Sequence, residues 1–176
     1  GVLAYIYRGL FIVATVNGSP ISRFTVIGKL EKASGKQTLD QLITKKLILG
    51  ELDKGEISVT DNELSAEMKK IEAQVAGQGG TLDQALEAQG MTMADLQEQI
   101  SINLRIEKFL SDQIQVSDEE VSKYIKDNKL ATPKGQEAQF KEQTRDQIRS
   151  VKLSKVGQDW ISSIRTQASI NYFVSY

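Results

Sequence analysis

The chain of 176 residues has no cysteine, no histidine, two prolines and one tryptophan. Without cysteine there is no disulfide framework, no thiol nucleophile and no thiolate metal site. Without histidine the commonest general base and the commonest metal ligand are missing. Most hydrolase, oxidoreductase and zinc chemistries are thereby excluded, and an enzyme would have to work with carboxylates alone. An excess of one charge is also lacking, since Lys+Arg 22 stand against Asp+Glu 23 for a net charge of −1. A nucleic-acid partner, which calls for a clustered basic excess, is not expected. Nor is there an uninterrupted apolar run of the ~20 residues that a membrane-spanning helix needs. Residues 1–16 come nearest, and Arg8 interrupts them. We expect residues 1–11 to be an apolar lead-in, the end of a removed signal-anchor that would tether the protein upstream of Gly1.

What is present is helical pattern. Thr38-x-x-Gln41, Thr60-x-x-Glu63, Thr81-x-x-Gln84 and Ser117-x-x-Glu120 each fit a capping box, in which the Thr or Ser side chain and the residue three places on satisfy each other's backbone amides. Thr92-x-x-Asp95 is a looser relative. Apolar residues follow at helical spacing, most regularly Leu64, Met68, Ile71 and Val75, and then Leu96, Ile100 and Leu104. Ser22 is a candidate N-cap for a helix through Leu30 that ends near Gly35. Gly77, Gly79 and Gly80 stop the Met68 helix, and Gly90 closes a short helix that holds Leu82 and Leu86. A long helix begins near Phe140, with Thr144, Ile148, Val151, Trp160 and Ile164 on one face.

Two stretches read as strands. Val13 to Ile21 is a hairpin signal, because Asn17-Gly18 supplies the two positive-φ positions of a type I′ turn. Ile170, Tyr172, Val174 and Tyr176 alternate with other residues, a period-2 pattern. A lone strand leaves its backbone unsatisfied, and residues 12–16 at the opposite end are its best partner. The expected fold is mainly α, with N- and C-terminal strands pairing in a small sheet.

No catalytic constellation emerges. Asp118, Glu119 and Glu120 sit in a first helical turn, where acids complement the helix dipole, and Asp61, Glu63 and Glu67 near another helix start have the same explanation. Gly77-Gln78-Gly79-Gly80 lacks the preceding strand and the Lys-Ser/Thr of a phosphate loop. No cofactor and no metal are expected. Met91 and Met93, at a helix junction, either plug a core or offer an adaptable apolar surface.

The motif order resembles a known family. VATVNGSPISR (13–23), LDQLITKKLIL (39–49), VTDNELSAEMKKIE (59–72), the passage from Gly80 to Leu110 and QVSDEEVSKYIKDNK (115–129) are similar to the N-terminal chaperone domain of the SurA/PrsA group of bacterial extracytoplasmic chaperones and parvulin-type isomerases. The resemblance implies one SurA N-like domain over 12–176. Residues 12–129 would be its first part, and the linker 130–136 would stand where a parvulin domain sits in the family. Residues 137–176 would be the returning helix and strand. Parvulin sites use histidines, so isomerase activity is not expected. The implied function is a non-catalytic chaperone or chaperone-like module outside the cytoplasm, in the periplasm or on the outer face of the cell membrane. Its partners would be unfolded or newly exported polypeptides. Leu82, Leu86, Met91, Met93 and Tyr124 are the candidate peptide-binding residues. The rival reading is an interaction module that forms a homodimer through the C-terminal helix or strand, and a carboxylate enzyme is the third.

Overall fold

The computed structural model describes residues 11–176, and the expected lead-in at 1–11 lies almost wholly outside the described residues. The described chain opens on a hairpin of β1 (Ile12–Val16) and β2 (Ser19–Ser22), antiparallel, with Thr15 opposite Pro20 and Val16 opposite Ser19. Asn17 at φ 49° and Gly18 at φ 83° form the turn between them. Both positive values match the right-handed strand twist that a type I′ turn requires. Pro20 tolerates its place because a two-stranded ribbon has only edge strands.

The expected pairing of residues 12–16 with a C-terminal strand does not form. Residues 168–176 form no strand, and among the described residues β1 pairs only with β2. Closing a two-residue turn costs far less chain entropy than closing the loop to the far end, so the local partner wins. A Cβ built on Gly35 would lie 2.9 Å from the Tyr176 ring, so the absent side chain is what lets that ring settle there.

Helices make up the rest. α1 (Arg23–Leu30) is capped by Ser22, whose Oγ accepts from the Phe24 amide. It does not end at Gly35. A π-helical segment (Glu31–Gly35) leads directly into α2 (Lys36–Lys54), and Leu30 and Lys36 keep right-handed helical dihedrals across both joints. Thr38 therefore lies within a helix and caps nothing; with no proline here and Lys36-Gln37 following, Gly35 alone does not break the rod. The chain continues as α3 (Asp61–Gly77), α4 (Leu82–Gln89), α5 (Met93–Phe109), a 3₁₀ turn (Ser111–Gln113), α6 (Asp118–Asp127) and α7 (Glu137–Gln167). Thr60, Thr81, Thr92 and Ser117 each form a full capping box, with Asp95 serving as the acid for Thr92. Each such cap stabilises its helix by about 1 kcal/mol.

The chain divides into two compact units, with the division falling inside α2. One unit runs to Leu47 and includes Ala168–Tyr176; the other is Ile48–Gln167. The second unit holds the buried core. Ile48 and Leu52 of α2 meet Ile102 of α5, and Phe109, Trp160, Ile161 and Ile164 pack against them. The Phe109 and Trp160 rings lie 5.1 Å apart at a tilt of 39°, within the range aromatic pairs prefer. Leu110, Ile114, Val121 and Thr144 are also buried in this unit. Gly157 is buried on α7, and a Cβ there would come within 4.0 Å of Leu110. The face expected for the long helix needs one change. Val151 is 64% exposed, whereas Lys152 and Leu153 are half-buried. The residue step from Ile148 to the next inward position is four or five, which rotates Val151 outward at 100° per residue.

Ion pairs tie these elements together. Arg105 Nε donates to the Ile57 carbonyl at 2.6 Å and its guanidinium pairs with Asp53. Lys108 donates to the Ser58 carbonyl and to Glu63, each at 2.8 Å. Lys152 pairs with Glu120 at 2.6 Å and donates to the Gln115 carbonyl at 2.7 Å. Among the described residues every buried side-chain nitrogen or oxygen has a hydrogen-bond partner.

Candidate functional site

The α3 stripe and the α5 stripe were each expected to bury one face. Both faces instead stop short of full burial along one line, where α3, α5 and α7 leave a groove of about 440 Å³. That volume lies within the range of ordinary ligand clefts. Its apolar lining is Ile71 from α3, Ile100, Leu104 and Ile106 from α5, and Leu153 from α7. Ile100 is 4% exposed and forms the floor, while Ile71, Leu104 and Leu153 are half-buried and reachable. The spacing explains the layout. Ile100 and Leu104 stand four residues apart on one helical face, and Asn103 and Glu107 follow one turn round.

The rim is polar and internally neutralised. Lys70 Nζ donates to Glu67 at 2.8 Å, and this bond, aided by the charges of Glu67 and Glu107, raises the Lys70 ammonium above its usual range. Arg149 pairs with Glu107 at 2.7 Å and so links α7 to α5 beside the opening. Asn103 Oδ1 accepts from the Gln99 amide at 3.0 Å. An apolar floor with a charge-balanced rim suits an apolar side chain whose flanking backbone stays near polar groups. It offers no nucleophile paired with a base. Among the described residues no group of three acidic residues is placed to hold a metal ion.

The five residues picked from sequence lie elsewhere. Leu86 is 7% exposed, a core position of α4. Leu82 and Met91 are half-buried, as is Tyr124 on α6. Met93, in the first turn of α5, is 37% exposed. None of them lines the groove. Ile71, Ile100 and Leu104 were visible in the sequence as helical stripes, but nothing in a stripe distinguishes a residue packed under a neighbour from one facing a cleft. Leu153 carried no signal, because the α7 face was drawn through Val151.

Comparison with known proteins agrees with the helical plan. Residues 27–110 match the family described as SurA-like N-terminal domain. The curated protein named Foldase protein PrsA, from Levilactobacillus brevis, is 30% identical over 115 residues, which is 65% of this chain and 36% of that protein. The chain thus spans little more than a third of the relative it matches. No solved structure matches the chain at a significant level. The matched stretch contains α3 and α5, the two helices that supply most of the groove.

Proposed function

We propose that the chain is a non-catalytic chaperone module that holds unfolded or newly exported polypeptides outside the cytoplasm. The observation that carries this reading is the α3–α5–α7 groove, apolar at Ile71, Ile100, Leu104 and Leu153 and rimmed by paired charges. Unfolded chains present isolated apolar side chains between polar backbone groups, and a half-open groove of this kind accepts many such segments without selecting one sequence. The match of residues 27–110 to a SurA-like N-terminal domain and the likeness to a protein named as a foldase support the same direction. On this reading the groove's work is transient binding.

Light scattering of a chemically unfolded client diluted into buffer tests the proposal. At equimolar concentration the chain should slow aggregation, and Leu104→Glu should remove most of that effect while leaving the helical circular dichroism intact. A proline-peptide assay run in parallel should show no acceleration of isomerisation. If the unsubstituted chain leaves aggregation unchanged, or if Leu104→Glu protects as well as it does, the groove is not a client site.

A further inference from the structure

The unit formed by residues up to Leu47 and by Ala168–Tyr176 has an unusual surface. None of its described residues is buried. Among the described residues, all the large apolar side chains that stand exposed belong to it, with the exceptions of Met93, Leu130 and Val151. Phe173 is 95% exposed, Phe24 65% and Leu30 59%. The Phe11 and Phe24 rings lie 6.1 Å apart. Leu30, Leu39, Leu42 and Tyr176 line an open apolar hollow of about 270 Å³ at the π-helical segment. A two-stranded hairpin with no buried face is marginal in water, and exposed apolar surface in this amount marks a docking face.

Charge selects what docks. The described residues of this unit carry Arg23, Lys29, Lys32, Lys36, Lys45 and Lys46 against Glu31 and Asp40, a net charge of +4. Residues 48–167 carry fifteen basic and twenty-one acidic residues, a net charge of −6. Phe24, Ile27 and Leu30 follow at three-residue steps on one side of α1. Lys29 lies on the other side of that helix, and Lys32 and Lys36 follow it, both exposed, in the π-helical segment and at the start of α2. Exposed apolar and aromatic groups together with exposed lysines are the pattern of a segment lying in a membrane interface, where lysines reach the headgroups. A second copy of the same face would bring +4 against +4. The acidic unit could supply charge, but it exposes too little apolar surface to cover this face.

We propose that this unit docks on the surface of a bilayer containing anionic lipid, with its phenylalanines and leucines at the headgroup boundary and its lysines on the lipid phosphates. The acidic unit is repelled by the same surface, so contact is confined to the basic one. This inference is independent of the groove, since it uses none of the groove's residues.

The test is co-sedimentation of the full 176-residue chain with vesicles of phosphatidylcholine alone and with vesicles containing phosphatidylglycerol. The chain should bind the anionic vesicles, and less so as salt rises. At about a factor of five per lysine, the triple variant Lys29→Gln, Lys32→Gln, Lys36→Gln should bind on the order of a hundredfold more weakly. Phe24→Ser with Phe173→Ser should also lose binding. Both variants keep residues 1–10, so binding that survives in both would assign it to another part of the chain and overturn the proposal. Equal binding to neutral vesicles would do the same. Sedimentation equilibrium completes the test: a stable dimer abolished by the Phe24/Phe173 variant would show that a second copy covers this face instead. The substituted side chains are exposed, and Trp160 fluorescence reports that the buried core is unchanged.

Discussion

Leu42 and Leu52 occupy the same helix ten residues apart, yet α2 gives them opposite surroundings. Leu52 is 0% exposed, in the cluster with Ile48 and Ile102, while Leu42 is 59% exposed. Substituting each by alanine removes the same atoms from the same backbone, so helix propensity cancels and burial remains. Loss of a fully buried leucine, including the cavity it leaves, costs about 2–5 kcal/mol. Loss of a largely exposed one should cost within about 0.5 kcal/mol. Stability of a domain this size is of the order of 5–15 kcal/mol, so Leu52→Ala removes a large share of it. Trp160 packs against the same cluster and is the only tryptophan, which makes its fluorescence a direct reporter. With a urea slope near ~2 kcal/mol/M, the midpoint should fall by about 1–2.5 M for Leu52→Ala and hardly move for Leu42→Ala. Comparable shifts for the two variants would refute the division between a buried core and an open face.

Two further perturbations follow from local structure. Glu63 is held at a pKa of about 2, first by the hydrogen bond from Lys108 and then by those from Thr60. A depressed carboxylate stabilises the fold above its unfolded pKa, and that contribution is lost as pH falls from about 4.5 through about 2. The difference in melting temperature between the unsubstituted chain and Glu63→Gln should therefore be constant near neutrality and vanish across that window; a difference that grows on acidification would contradict the assignment. Gly90 has φ of 64° and open space where a Cβ would stand. Gly90→Ala should cost roughly 1–2 kcal/mol from backbone strain alone, visible as a lower urea midpoint, and no change would mean that the α4 terminus relaxes.

Local signals in the sequence carried much of the fold. The Asn17-Gly18 turn, the caps at Thr60, Thr81, Thr92 and Ser117, and the left-handed Gly90 are each decided by a few adjacent residues. The misreadings lie where competition decides. Residues 170–176 alternate like a strand, but β1 already had β2 two residues away. Gly35 could have closed a helix, but the backbone passed through it in a π-helical turn that receives the Tyr176 ring. The groove was less legible than the fold, because it depends on which part of each apolar stripe another helix leaves uncovered. Ile71 and Leu104 look the same in sequence as Leu52, and only the placement of α7 separates cleft from core. Met91 and Met93 drew notice for their chemistry, yet neither faces the groove.

The absence of cysteine makes the most direct test of client binding practical, since a single introduced thiol can be labelled uniquely. Leu153→Cys and Val151→Cys, two positions apart on α7, would each carry a benzophenone label and be illuminated with an unfolded client. Leu153 lines the groove and Val151 faces solvent. Met93→Cys adds the apolar position that chemistry alone would favour. Strong cross-linking from position 153, with little from 151 or 93, is the result expected if the groove holds the client. Equal cross-linking from 151, or stronger cross-linking from 93, would place the client elsewhere and contradict the account.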